Sequence, residues 1–134
     1  MDAAQALADL TEISTQIQAA LIADEQGAVV ASTFADDTSA GEAARSALDL
    51  LAAAEDAGGN GAVHLTQVLA STHAGSVFVV RGEERIATAV TGPEPTVGLV
   101  FYDLKTCLRL SAERPEKPGR SRKQTKKDEK SVDA

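Results

Sequence analysis

Gln18-Ala19-Ala20-Leu21-Ile22-Ala23-Asp24-Glu25-Gln26-Gly27-Ala28-Val29-Val30-Ala31-Ser32 is a pair of apolar runs hinged on Asp24-Glu25-Gln26-Gly27. Asp24 brings a side-chain acceptor to the turn, and Gly27 can take a positive φ at no steric cost. The stretch therefore predicts a β-hairpin with a four-residue loop. Upstream, Leu7, Leu10, Ile13 and Ile17 recur at helical spacing with Asp9 and Glu12 opposite them, and Asp2 is a candidate N-cap.

Downstream, Ser39-Ala40-Gly41-Glu42 has the form of a capping box, in which Ser and Glu satisfy each other's orphan backbone donors. The helix it opens carries Ala44, Ala47, Leu48, Leu51 and Ala54 on one stripe. Asp56-Ala57-Gly58-Gly59-Asn60-Gly61 ends that helix, with Gly58 expected in the left-handed conformation. Three strand-like runs follow, at 62–70, 76–81 and 86–91, joined by links short enough for antiparallel hairpins. Pro93 and Pro95 break the chain, and Val97, Phe101, Leu104 and Leu108 then mark a closing helix.

Strand composition predicts the sheet order. The first, fourth and fifth strands are apolar on both faces, as in Val77-Phe78-Val79-Val80, and belong in the middle of a sheet covered on both sides. The second strand fades into Ser32 and Thr33, and the third carries His64, Thr66 and Gln67, so both read as edges. Keeping each hairpin adjacent gives the order 2-1-5-4-3 with helices on both faces, an α+β fold of the α/β/α sandwich type. The third strand is long for an edge and alternates Val63, Leu65 and Leu69 with His64, Thr66 and Val68. An edge of that kind invites pairing with a second copy, so Val63, His64, Leu65, Thr66 and Gln67 are the expected seam of a homodimer.

The 134 residues suffice for one domain, placed at 2–112, and a basic tail at 113–134 that is expected to be disordered because it has almost nothing to bury. Residues 1–112 carry five basic against fifteen acidic side chains, a net of −10, while 113–134 carry eight against five, a net of +3. An acidic body argues against nucleic-acid binding by the domain, since phosphate contacts need clustered Lys and Arg. The tail could instead contact an acidic partner, an anionic membrane or nucleic acid, although Glu116, Asp128 and Glu129 interrupt its charge. The scarce aromatics, Phe34, Phe78, Phe101 and Tyr102, leave the core to Ala, Val, Leu and Ile.

No catalytic, metal or cofactor site is legible. Gly58-Gly59-Asn60-Gly61 leads from helix to strand, whereas phosphate-cradling loops lead from strand into helix. His64 and His73 have no Cys or carboxylate at ligand spacing. Cys107 is alone, which excludes an intramolecular disulfide, fits a reducing cytosol and reads as a packed thiol beside Leu104 and Leu108. No apolar run approaches the ~18 residues of a membrane span and Met1-Asp2-Ala3-Ala4-Gln5 has no basic n-region, so a cytoplasmic protein is expected. The outer side of the second helix, with Glu42, Arg45, Asp49, Ala53 and Asp56, is either a solvated face or a partner-docking one.

These features together resemble a Roadblock/dynein-light-chain-type domain, of the bacterial kind that partners Ras-like GTPases. The resemblance spans roughly residues 3–112 and rests on the 18–32 hairpin, the Ala/Leu second helix, the Val97-Gly98-Leu99-Val100 entry to the last helix and the order of all eight elements. It implies a profilin-like sandwich and dimerisation through the third strand and second helix, which adds Leu50 to the seam. It implies a non-enzymatic adaptor, scaffold or regulator that modulates the nucleotide cycle of a small GTPase, with no catalytic residue to carry over. The alternatives are a small-ligand sensor of the profilin or PAS type and a scaffold anchored through the basic tail.

Overall fold

The computed structural model describes residues 2–58 and 66–112. Helix α1 (Ala3–Ile13) opens on Asp2, whose Oδ1 accepts from the Gln5 N–H at 2.8 Å, and buries Ala3, Ala6, Leu7 and Leu10. Ile13 and Ile17 do not continue that stripe as the spacing predicts. The helix stops at Ser14, Ile13 is exposed, and Ile17 starts strand β1 (Ile17–Asp24). Strand β2 (Val29–Ser32) returns antiparallel through the Asp24–Gly27 turn. There Asp24 Oδ1 accepts from the Gln26 and Ala28 N–H groups at 2.9 Å each, and Gly27 sits at φ +91°.

Helix α2 (Asp37–Ala57) starts two residues before the expected capping box. Its N-cap is Asp36, whose Oδ1 accepts from the Ser39 N–H at 2.7 Å, so Ser39 lies inside the first turn rather than capping it. The same acceptor rule selects either residue, and the carboxylate also suits the positive end of the helix dipole. Its C-cap Gly58 is right-handed at φ −74°, ψ −8°, because its N–H closes on the Ala54 and Glu55 carbonyls and extends the helical turn.

Among the described residues strand β3 is Gln67–Thr72, which ends two residues later than the expected 70; residues 62–65 of the expected run lie outside the described residues. The strand continues through Ser71 and Thr72 because the turn to β4 (Gly75–Arg81) needs only His73 and Ala74. Thr72 Oγ1 accepts from the Ala74 N–H at 3.1 Å and donates to the Gly75 carbonyl at 3.2 Å. Gly75 is required because an added Cβ would meet the Thr91 carbonyl oxygen. Strand β5 (Arg85–Thr91) and helix α3 (Val97–Ala112) complete the chain; residues 113–134, expected as a disordered tail, lie outside the described residues.

The sheet is antiparallel in the order β2-β1-β5-β4-β3, as strand composition predicts. Side-chain alternation divides its core into two layers. Ala20, Ile22, Phe78, Val80, Ala87 and Ala89 meet α1 and α3, and the Phe78 and Phe101 rings pack edge to face with centroids 4.9 Å apart. On the other face Leu21, Ala23, Val79 and Ile86 meet α2 through Ala40, Ala44, Ala47 and Leu51. Thr88 enters the same face and spends its hydroxyl on the Phe78 carbonyl at 2.8 Å. Arg81 ties α2 to the hairpin, pairing with Glu55 at 2.7 Å and with Glu25 at 3.6 Å. Its polar end leaves the sheet at the rim of the α2 layer, so the pair fixes where the last turns of α2 sit.

Leu51 and Phe78 are fully buried on opposite faces. Leu51→Ala is expected to cost about 2–5 kcal/mol and Phe78→Ala about 3–5 kcal/mol in chemical denaturation. Ile13→Ser should stay within about 0.5 kcal/mol. A Leu51 cost as small as that of Ile13 would contradict the packing of α2.

Candidate functional site

The small side chains of Ala40, Ala44 and Ala47 let α2 lie close on the sheet, with Leu51 as the one large side chain fully buried on that stripe. Leu48 and Ala54, expected on the same stripe, are half-buried at its edges. The opposite side is left to solvent, and Glu42, Arg45, Asp49, Ala53 and Asp56 lie there. Their spacing of three, four, four and three residues keeps them on one continuous strip of the helix. Arg45 lies between Glu42 one turn before it and Asp49 one turn after it, so the strip alternates in sign at its centre and is acidic at its end.

The N-terminal half of this strip meets the β1–β2 turn. Gly27, Asp37, Gly41, Glu42 and Arg45 line a shallow depression there, and a Cβ at Gly27 would sit 3.6 Å from a Leu48 methyl carbon. That is ordinary van der Waals contact, so the turn lies against the helix with room to spare, and the glycine is required by its positive φ. Asp36 and Asp37 add carboxylates at the same end, a contribution masked in the sequence by the stronger-looking Ser39–Glu42 pattern. The hydrogen bonds from Ser39 hold the Asp36 carboxyl below its ordinary range, so it stays charged in mildly acidic solution.

The residues expected at the dimer seam divide. Thr66 and Gln67 are exposed at the start of β3, which is paired on one side only, by β4, among the described residues. Leu50 is half-buried and packs with Val68 of β3 against the α2-side cluster, so the helix flank and the strand share one side of the molecule. Val63, His64 and Leu65 lie outside the described residues.

Among the described residues, no group of three or more His, Cys, Asp or Glu is placed to hold a metal ion, and no helix is long and apolar enough to cross a membrane. The other depression that stands out, over Val80 and Leu108, is open to solvent and rimmed by charges of both signs including Glu84, Arg85 and Arg109. It differs from the apolar pocket with a few convergent polar groups that a small-ligand sensor needs. Cys107 is buried, and that burial, with the Asp9 carboxylate beside it, pushes its thiol up to about 11. It is a packed thiol at neutral pH and a poor nucleophile.

No family model and no curated protein sequence matches the chain. Solved structures do. A Roadblock/LC7 domain from Streptomyces avermitilis superposes with a TM-score of 0.73 at 20% identity, covering 82% of this chain and 94% of that one. This is the Roadblock/LC7 fold. The gliding protein MglB from Thermus thermophilus superposes with a TM-score of 0.61 at 21% identity, over 82% of this chain and 85% of that one. Profilin IA from Acanthamoeba castellanii reaches a TM-score of 0.51 at 17% identity, over 72% and 86% respectively, which places the Roadblock/LC7 arrangement within the wider profilin-like sandwich.

The raised thiol gives a pH test. A group whose folded-state pKa lies above its unfolded value stabilises the fold fully below the unfolded value, and this contribution fades as pH rises through the folded one. For Cys107 the window runs from 9.0 to about 11. The stability difference between the native protein and Cys107→Ala is expected to shrink across that range, measured by urea denaturation. A difference that is flat across it would show that the thiol titrates normally.

Proposed function

We propose that this protein is a non-enzymatic, cytoplasmic adaptor or regulator that binds a small Ras-like GTPase through the outer strip of α2 and modulates its nucleotide cycle. The observation that carries the reading is that strip. Glu42, Arg45, Asp49, Ala53 and Asp56 stand on the solvent side of a helix whose other side is committed to the core. Rigid support matters, because a surface that does not reorganise loses little entropy on docking. The Roadblock/LC7 fold supports the reading, since the family that this chain resembles works with such GTPases.

The same proposal has two copies joined along β3, with Thr66 and Gln67 at the seam and Leu50 beside it. Pairing there would extend the sheet across the dimer and set two α2 helices side by side, making one broad surface. The partner-binding strip and the seam would then belong to one assembly: a monomer would offer only half the surface.

The test is capture of a Ras-like GTPase from the same genome, loaded with a GTP analogue or with GDP, followed by hydrolysis rates with and without this protein. Binding is expected to differ between the two nucleotide states. Arg45→Glu and Asp49→Lys should each weaken it about tenfold, or ~1.4 kcal/mol. Light scattering at micromolar concentration should give a dimer, and Thr66→Pro should push it towards monomer. Failure to bind in both states would defeat the GTPase reading, and a monomeric native protein would defeat the seam.

A further inference from the structure

The outer surface of the α1/α3 layer carries a second patch, on the opposite side of the sheet from α2. The two helices pack antiparallel. Gln16 Oε1, just past the end of α1, accepts from the Thr96 N–H at the start of α3 at 2.6 Å. At the other end Asp2 and Ala3 share a depression with Ser111 and Ala112. Ile13 at the last turn of α1 therefore lies level with Leu99 at the first turn of α3. Asp9, which acts on Cys107, marks the flank of α1 that faces α3, and Ile13 is one turn further along that flank. Leu99 and Asp103 lie one turn apart on the facing flank of α3, and Tyr102 is three residues from Leu99 on its outer side.

Ile13 is 71% exposed, Leu99 49% and Tyr102 68%. Large apolar side chains left in water singly are ordinary, but three together across a helix pair mark a contact surface. The charges around them are mostly acidic. Asp9, Glu12, Glu94 and Asp103 stand near this end, residues 2–18 and 86–104 contain no Lys, Arg or His, and the nearest cation on α3 is the exposed Lys105, one turn beyond Tyr102. Glu94 is held between Pro93 and Pro95 at φ +58°, an unfavourable backbone for a non-glycine residue.

We infer that this patch docks a cationic amphipathic helix of another protein, whose apolar stripe covers Ile13, Leu99 and Tyr102 while flanking Lys or Arg residues meet Asp9, Glu12, Glu94 and Asp103. Charge decides the occupant. A second copy would bring four carboxylates against four, with one Lys105 from each copy to offset them. Residues 113–134 carry the cations but only one branched apolar side chain, Val132, and cannot fill an apolar stripe. A helix laid along the seam of two antiparallel helices supplies both, with anchors at i, i+3 and i+4. This inference is independent of the reading of α2.

The chain has one tyrosine and no tryptophan, so Tyr102 emission reports on the patch. The probe is a synthetic amphipathic helix of about 16 residues, long enough for the anchor spacing, with a Leu stripe flanked by Lys and Arg. It is compared with the same peptide carrying Glu at the flanks. The cationic peptide is expected to alter Tyr102 emission and bind the full chain by anisotropy, at least tenfold more tightly than the Glu peptide. Raising the salt should weaken it. Ile13→Ser with Leu99→Ser should weaken it at least tenfold with circular dichroism unchanged, whereas Glu42→Lys on α2 should leave it as it was. Equal binding of the two peptides, or binding that survives the double variant, would overturn the inference. So would a change in Tyr102 emission on concentrating the protein alone, which would assign the patch to a second copy. A change on removing residues 113–134 would assign it to the chain's own end and overturn the inference as well.

Discussion

Strands β1, β5 and β4 present apolar side chains to both faces of the sheet, and each face must be covered for the chain to hold together. Leu21, Val79 and Ile86 point one way while Ile22, Phe78 and Ala87 point the other. Every helix takes its place from that requirement. Two helices cover one face, closing around the Phe78–Phe101 contact. Among the described residues one helix, α2, covers the other face, and its alanines allow it to lie close to the sheet. Arg81 with Glu55 and Glu25 fixes the rim where the apolar cover runs out.

The outer side of α2 has no part in the core, and the charges of Glu42, Arg45, Asp49 and Asp56 stand in solvent. The β1–β2 turn adds its edge to the same surface, positioned by Asp24 and by the glycine that follows. The opposite layer differs in kind. Two helices meeting side by side leave a seam, and at one end of that seam apolar side chains stand among carboxylates. The fold thus offers two faces with separate chemistry, one of mixed charge and one apolar and acidic.

Much of this is legible in the chain itself. The doubly apolar strands dictate the sheet order, because only central positions tolerate them, and the Asp24–Gly27 turn declares itself through an acceptor and a glycine. The outer strip of α2 is legible for the same reason, since helical period alone separates Glu42 and Arg45 from Ala44 and Ala47. Where sequence and structure differ, the causes are local. Asp36 and Ser39 both satisfy the N-cap rule, and pattern cannot choose between acceptors three residues apart. Gly58 can take a left-handed conformation but is not compelled to, since its N–H still finds helical carbonyls. Ile13 fits an apolar stripe by spacing and yet follows the last buried turn, so only the helix end reveals that it faces water. The extent of β3 depends on how tight its turn can be, and Thr72 makes it tight.

We propose that the outer strip of α2 is the face a Ras-like GTPase engages. Amide chemical-shift mapping of the isotopically labelled protein, titrated with its GTPase bound to a GTP analogue, tests it most directly. The largest perturbations are expected on residues 37–56 and on the turn at 24–28, with the α1/α3 layer unmoved. Perturbations centred on α1 and α3, with 37–56 silent, would contradict it.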